Sequence, residues 1–490
     1  MLCKSFTRTV SLFSVKKTVS EKMTTNIQQE YEAAVSKLNS LQSNAHYIQE
    51  YGKKSKETQH RHHSALETRK FLERSGMSLD KLDNLSVIHV AGTKGKGTTC
   101  AFSESILRHH GYKTGFFSSP HLLEVRERIR INGRPIEKQD FVKFFWKIYN
   151  TLNDNKSHEN DMPLYFGFMT VMAFHVFVEK KVDVAIIEVG IGGAYDCTNA
   201  LRKTDVAGIT SLGIDHTTLL GDTIESIAWN KAGIMKSGCK TFTVPQVDSA
   251  MKVLKEESAK KQSQLEVVNV NYSLNESLYP SDIINLNANL ALALCKSWIE
   301  NSGNNNGKRF SLELAIIGVE TCTWPGRFEM RKRNKICYFL DGAHTMESIN
   351  VCNKWFSEKT KNSKKKKALM FNLTGERDSE TILKELHKQQ FDLVAFVPNQ
   401  SISDSKSDNI SYLHTTDKQL KRCEEHMMVW LKLNENELNT STVKVFTSVL
   451  NSIEYLEGTK QEYDLLVTGS LHLIGAVLGV LDPNLRGTLS

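Results

Sequence analysis

Val87-Ile88-His89-Val90-Ala91-Gly92-Thr93-Lys94-Gly95-Lys96-Gly97-Thr98 decides the fold. Five residues of strand character run into a loop of alternating glycines. A helical pattern then follows over Thr98–His110. Glycines let backbone N–H groups close around phosphate oxygens, and the helix that follows turns its positive N-terminus toward them. In this reading Gly95, Lys96, Gly97 and Thr98 form the cradle. Lys96 reaches the terminal phosphates and the Thr98 hydroxyl lies near a metal. The segment departs from the regular Walker A pattern, which has glycine where Val90 stands and Ser or Thr where Gly97 stands. A flexible strand–helix turn without a ligand is the competing reading.

Outward from this segment the chain alternates strands and helices. Apolar runs at Val87–Ala91, Lys113–Phe117, Val182–Val189, Val206–Leu212 and Thr241–Val244 are separated by helical stretches such as Asp222–Lys236. Such alternation predicts a mainly parallel sheet flanked by helices. Asp222, with Glu225 three residues on, reads as the cap of its helix. Beyond Trp324-Pro325-Gly326 a second block repeats the alternation, with runs at Ile336–Leu340, Ala368–Phe371, Phe391–Val397, Val443–Phe446 and Leu465–Val467. The fold class is therefore α/β: a P-loop domain over 23–322 and a smaller Rossmann-like α/β domain over 323–490. The stretch 246–320 shows little periodicity apart from a helix near Asn289–Trp298. Residues 301–308 and 400–412 read as loops, and Lys364–Lys367 as a solvated loop.

In open parallel sheets, ligands bind beyond the carboxyl ends of the strands. Polar residues collect there: Ser118-Ser119-Pro120-His121 after the second run, Glu188 and the Gly190–Gly193 turn after the third, and Asp215-His216 after the fourth. Glu188 stands where P-loop enzymes keep a Mg²⁺-organising acid, or where a carboxylate simply caps a helix. His216 alone reads as a structural histidine, and Lys231, beside Trp229, as a solvated lysine. In the second block, Asp341-Gly342-Ala343-His344 and Thr468-Gly469-Ser470 follow strands. Each is either a tight turn or a set of donors for an anion.

Bulk properties exclude several classes. The chain has 490 residues, 40% apolar and 24% charged, with a formal charge of +8. Much of that charge lies in residues 1–22, where Lys4, Arg8, Lys16, Lys17 and Lys22 face Glu21 alone. The rest is too dilute for a nucleic-acid surface. The basic, Ser/Thr-rich start suits a mitochondrial transit peptide over 1–22, with Met23 as the start of a cytoplasmic form. Nine scattered cysteines lack any Cys-x-x-Cys spacing, which fits a reducing compartment without a zinc site. The most apolar helical stretch, Phe166–Val178, is too short to span a bilayer.

The motifs together resemble the folate branch of the Mur ligase family. The resemblance rests on Gly92–Thr98, Phe117-Ser118-Ser119-Pro120-His121-Leu122, Arg126-Glu127-Arg128-Ile129, Glu188–Asn199, Leu212–His216, Lys231-Ala232-Gly233-Ile234, Trp324-Pro325-Gly326-Arg327, Asp341–His344 and Thr468–His472. The run Tyr195-Asp196-Cys197-Thr198-Asn199 is similar to eukaryotic folylpolyglutamate synthases. The resemblance implies an ATP-dependent ligase that adds L-glutamate to reduced folates. It implies ATP contacts at Gly95, Lys96, Gly97, Thr98, Asn289, Arg327 and Asp341, and Mg²⁺ at Ser119, Glu188 and His216, with two metal sites possible. It further implies catalytic roles for Lys96, His216 and Lys231, the last carbamylated by CO₂, and glutamate contacts at His344 and Ser470. A monovalent cation such as K⁺ and a monomeric state belong to the same expectation, with no nucleic-acid or membrane partner. Departures are Asn285 and Leu286 before Asn289, Gly167 where relatives often carry a basic residue, and Glu376 for a common Asp. The rivals are a dihydrofolate synthase, a bifunctional enzyme, and a P-loop switch protein. Against the switch, Asn230-Lys231-Ala232-Gly233 lacks the aspartate of a guanine-specific Asn-Lys-x-Asp.

Overall fold

The structure, a computed structural model, describes residues 26–41, 63–270, 272, 282–301, 307–374, 378–402, 416–435 and 441–482. The leader over 1–22, Glu376 and most of the expected loops at 301–308 and 400–412 lie outside the described residues.

Two sheets carry the chain. The first holds β1 (Val87–Ala91), β2 (Thr114–Phe117), β3 (Ile129–Ile131), β4 (Arg134–Pro135), β5 (Val184–Glu188), β6 (Val206–Ile209), β7 (Lys240–Thr243) and β8 (Gln264–Val267). Their order is β4-β3-β2-β5-β1-β6-β7-β8. The six strands from β2 to β8 in that order run parallel, and the short β3–β4 hairpin closes one edge antiparallel. Side chains on a strand alternate between faces. Val87 of β1 accordingly joins one core with Phe117, Ala185 and Ile187, while Ile88 and Val90 join another with Phe116, Val184 and Ile186. Helices His63–Arg74, Lys138–Asp154 and Tyr165–Lys180 bury their apolar residues in the first core. Helices Lys96–His109, Asp282–Asn301 and Leu312–Glu320 fill the second. Each fully buried large apolar side chain contributes ~1.5–3 kcal/mol. Trp298, completely buried, also satisfies its indole N–H on Ser86 Oγ at 2.8 Å.

The second sheet holds β9 (Glu329–Arg333), β10 (Ile336–Leu340), β11 (Lys366–Phe371), β12 (Leu393–Phe396), β13 (Thr442–Val445) and β14 (Tyr463–Thr468), in the order β13-β12-β11-β14-β10-β9. All pairings are parallel except that of β9 with β10. Leu122 and Leu123 of the first unit pack against the core of the second, so the two units share a seam.

Several sequence expectations need correction. Thr223, not Asp222, caps helix Ile224–Ala232, its side chain accepting from Ser226 N. The adjacent Thr wins because its hydroxyl sits one residue closer to the free N–H groups. Lys366 and Lys367 begin β11, so the basic run is half strand, its charges kept outside the buried Ala368–Phe371. The weakly periodic 246–320 region contains helices Asp248–Lys261 and Leu312–Glu320 and edge strand β8. An edge strand and half-exposed helices show little apolar rhythm. The charged β9, Glu-Met-Arg-Lys-Arg, was invisible for the same reason. Among the described residues no helix is long and apolar enough to cross a membrane.

Candidate active site

The loop after β1 is built for close approach. Gly95 caps helix Lys96–His109 with φ 87°, a left-handed conformation that a side chain strains. A Cβ there would also fall 2.2 Å from Asn287 Oδ1. Thr93 N and Lys94 N both donate to Ser211 O, and Thr93 Oγ1 donates to Gly213 O, fastening the loop to the segment after β6. Lys96 Nζ donates to Gly92 O at 3.0 Å, and Lys231 Nζ donates to the same carbonyl at 2.8 Å.

A cavity of about 770 Å³ opens between the two units. Gly95, Lys96, Gly97, Thr98, Ser119, Glu188, His216, Arg327, Asp341 and His344 all line it. Glu188, 5% exposed, ends β5 and among the described residues makes no ion pair within 4 Å. Its Oε2 accepts from Ser119 N at 2.9 Å. Burial raises its pKa, with Lys96, the Ser119 N–H, Arg327 and Arg128 opposing. The surroundings of Gly97 explain one of the two departures from Walker A. A Cβ there would lie 3.3 Å from both Glu188 Oε1 and Trp324 Cζ2, so a Ser at this position would crowd the acid. Gly97→Ser, although it removes one of the two departures from the regular pattern, is expected to lower turnover about 10–100-fold by displacing Glu188. Steady-state kinetics on the purified variant checks this; full activity would show that the acid tolerates the shift.

The turn after β5 is held from behind. His89 Nε2 lies 2.9 Å from Thr198 Oγ1, Thr198 Oγ1 donates to Asp196 Oδ1 at 2.6 Å, and Asp196 Oδ2 accepts from Ile191 N at 2.9 Å. Burial and Lys236 push the His89 pKa down to about 3, so the imidazole stays neutral. Asp215 binds Lys94 at 3.9 Å. Burial works against its ionisation, but His216 and Lys94 outweigh it and hold its pKa low.

From the second unit, Asp341 accepts from Phe328 N and Ala343 N at 3.1 and 3.0 Å, and burial raises its pKa to about 6 against Arg327. Burial lowers the Arg327 pKa, with Asp341 and Glu188 opposing. His344 Nδ1 lies 2.8 Å from Gly342 O.

Three expected residues stand apart from the lining. Asn289 is buried in helix Asp282–Asn301, where its amide nitrogen donates to Tyr272 O and Asn285 O and its oxygen accepts from Tyr272 N. Its expected contact with the cavity is not found. Asn287 faces the P-loop instead, its Oδ1 buried without a hydrogen bond among the described residues. Residues two apart on a helix point about 200° apart, so the two asparagines face different ways. Ser470 caps helix Leu471–Leu481 by accepting from His472 N at 3.2 Å, and Leu471 is its neighbour on the cavity wall. Lys231 sits just behind the lining, 3% exposed rather than solvated. Burial, aided by Lys96, lowers its pKa to about 7.

Comparison with known proteins accords with this geometry. Residues 90–320 match the Mur ligase middle domain, and residues 326–480 match the dihydrofolate synthetase C-terminal domain. The mitochondrial folylpolyglutamate synthase of Bos taurus is 38% identical over 93% of each chain. The chain belongs to the folylpolyglutamate synthase family. The mitochondrial enzyme of Homo sapiens is 37% identical, covering 93% of this chain and 92% of that one. Among solved family structures, E. coli FolC in complex with DHPP and ADP superposes with a TM-score of 0.64 at 26% identity, over 85% of this chain and 92% of that one. The folylpolyglutamate synthase of Thermotoga maritima gives the same TM-score and identity over 88% and 100%.

Family membership leaves open what each residue does. Among the described residues no cluster of three or more His, Cys, Asp or Glu side chains encloses a metal. The site fits Mg²⁺ in the other common manner, with one or two protein ligands and the remaining positions taken by phosphate and water. Glu188 offers a buried carboxylate without an ion-pair partner within 4 Å, and the Ser119 hydroxyl beside it makes no hydrogen bond among the described residues.

Proposed function

We propose that this chain is a ligase that couples ATP cleavage to addition of L-glutamate to the γ-carboxyl of reduced folates and their polyglutamates. The observation that carries the reading is the convergence of Lys96, Glu188, Arg327 and Asp341, from two units, on one cavity. Relatives named folylpolyglutamate synthase support the acceptor, and E. coli FolC in complex with ADP supports the nucleotide.

The acceptor's carboxylate oxygen attacks the γ-phosphorus, its P–O bond to ADP breaks, and an acyl phosphate results. Phosphoryl transfer needs positioning and charge neutralisation more than covalent help. Lys96 and the N-terminus of its helix supply positive charge to the phosphates, and Arg327 adds charge from the second unit. Mg²⁺, held by Ser119, Glu188 and His216, would supply further Lewis-acid charge to phosphate oxygens. The amine of glutamate, held by His344 on the second unit, then attacks the acyl carbon, phosphate leaves, and the amine loses a proton. Ser470 supports that wall by holding the helix that carries Leu471. Since both units line the cavity, drawing them together would keep water from the acyl phosphate.

The reading extends to finer points. Lys231, with its pKa near 7, is an amine that CO₂ can carbamylate, giving a carboxylate-like group for a second Mg²⁺. A monovalent cation such as K⁺ and a monomeric state complete the family-derived reading. The N-terminal composition, with relatives named mitochondrial, supports import into the matrix, and Met23 would start the cytoplasmic form. A dihydrofolate synthase activity remains the second reading, since the family model matching residues 326–480 carries that name.

Incubation with ATP, Mg²⁺ and glutamate, offering tetrahydrofolate and dihydropteroate separately, tests the reading by mass spectrometry. Glutamate added to tetrahydrofolate alone is the expected result. Product from dihydropteroate would favour the second reading, and no product from either would refute both.

A further inference from the structure

Arg128 is a buried cation without an anion. It is 7% exposed and lines the cavity. Its Nε donates to His121 Nδ1 at 2.9 Å, and its guanidinium lies 5.2 Å from the centre of the Tyr165 ring. Its two terminal nitrogens have no hydrogen-bond partner among the described residues, and no described carboxylate lies within 4 Å. Its neighbours in sequence are differently placed. Arg126 pairs with Glu124, and Arg130 donates to the carbonyls of Glu127 and Gly133. Burying an unpaired cation is costly, and a protein sustains it where a ligand supplies the missing charge.

Its location narrows the ligand. Arg128 lines the same cavity as Glu188 of the first unit and Leu471 of the second. The phosphate side already has Lys96, a helix N-terminus and Arg327. The wall formed by Pro163, Phe166, Gly167 and Cys197 carries no cation of its own. A guanidinium held at Nε and laid against an aromatic face keeps its free edge fixed for bidentate recognition of a carboxylate.

We propose that Arg128 clamps the non-reacting α-carboxylate of the acceptor's terminal glutamyl residue, so that the γ-carboxylate is the one turned toward ATP. Arg128 is on this account a specificity-determining residue. The inference rests on the folate-acceptor reading above.

Two acceptors separate the possibilities. One is tetrahydropteroyl monoglutamate. In the other, 4-aminobutyrate replaces the terminal glutamate, which keeps the reacting carboxylate and removes the α-carboxylate. The native enzyme should prefer the first by about 100-fold in kcat/KM. In Arg128→Gln this ratio should fall to within about 3-fold, with KM for ATP unchanged, and Arg128→Lys should lie between. Equilibrium binding of both acceptors in the presence of ADP gives the same comparison should turnover of a variant be too slow to measure. A ratio preserved in Arg128→Gln, or a parallel rise in KM for ATP, would overturn the proposal by making the contact structural or phosphate-directed. Native enzyme inactive on both acceptors would instead refute the acceptor reading, and the inference with it.

Discussion

Lys96→Ala is expected to lower kcat for ATP-dependent ligation by about 10³-fold while leaving the thermal unfolding midpoint within about 2 °C of the native value. The two halves follow from different features. Lys96 projects into the cavity at the helix N-terminus, where the transferring phosphoryl group gathers negative charge. Among the described residues its amine hydrogen-bonds only to Gly92 O and Thr93 O of its own loop, and Gly92 O keeps a second donor in Lys231. Little folded-state energy is therefore at stake. Single-turnover kinetics with saturating acceptor, beside calorimetry of the same preparation, checks both. Near-native turnover would remove Lys96 from its phosphate role. A large fall in midpoint would recast it as a structural lysine.

Much of this site was legible before any coordinates because its residues sit at strand ends. Apolar runs locate β1, β2, β5 and β6, and in a parallel sheet their carboxyl ends must share one edge. Lys96, Ser119, Glu188 and His216 follow those strands and meet in one cavity for that reason. Two units with a cavity between them were likewise legible from the second alternating block, which puts Asp341 and His344 after β10.

What was illegible depends on rotation, burial or close approach. Asn287 and Asn289 differ by two positions on a helix, and composition cannot say which face turns inward. Lys231 looked solvated beside the half-exposed Trp229, yet helix Ile224–Ala232 turns it inward beneath the P-loop. Arg128 was visible only as part of a basic, acidic, basic run. That Glu127 turns its carboxylate to the backbone N–H groups of Leu122, Leu123 and Glu124, leaving Arg128 unpaired, is a property of the folded loop. Gly97 read as a defect in a phosphate motif until its distance to Glu188 gave a reason for it.

Lys231→Met is expected to abolish at least 99% of ligase activity and at the same time to stabilise the protein at neutral pH, by about 1–3 kcal/mol. Lys231 is a lysine held in the wrong environment for its charge. Burial and the neighbouring Lys96 lower its pKa from 10.5 to about 7. The unfolded chain therefore holds a proton on this side chain that the folded chain gives up between pH 7 and 10.5. By linkage, stability rises with pH across that window and the penalty is largest at and below pH 7, where the native state must either lose the proton or bury it. Methionine removes the penalty, fills similar volume, and leaves Gly92 O bonded to Lys96. The gain over the native protein should accordingly shrink as pH is raised from 7 toward 10, as denaturant unfolding at several pH values would show. The same penalty has a chemical use. CO₂ adds only to a neutral amine, forming a new C–N bond and releasing one proton, so a pKa near 7 makes Lys231 competent near neutral pH where an ordinary lysine is not. Native protein in ¹³C-labelled bicarbonate should show a carbamate carbon resonance that Lys231→Met lacks. Activity that persists in the variant would remove Lys231 from the chemistry. An absent resonance, with activity still lost, would leave the amine itself, rather than its carbamate, as the acting group.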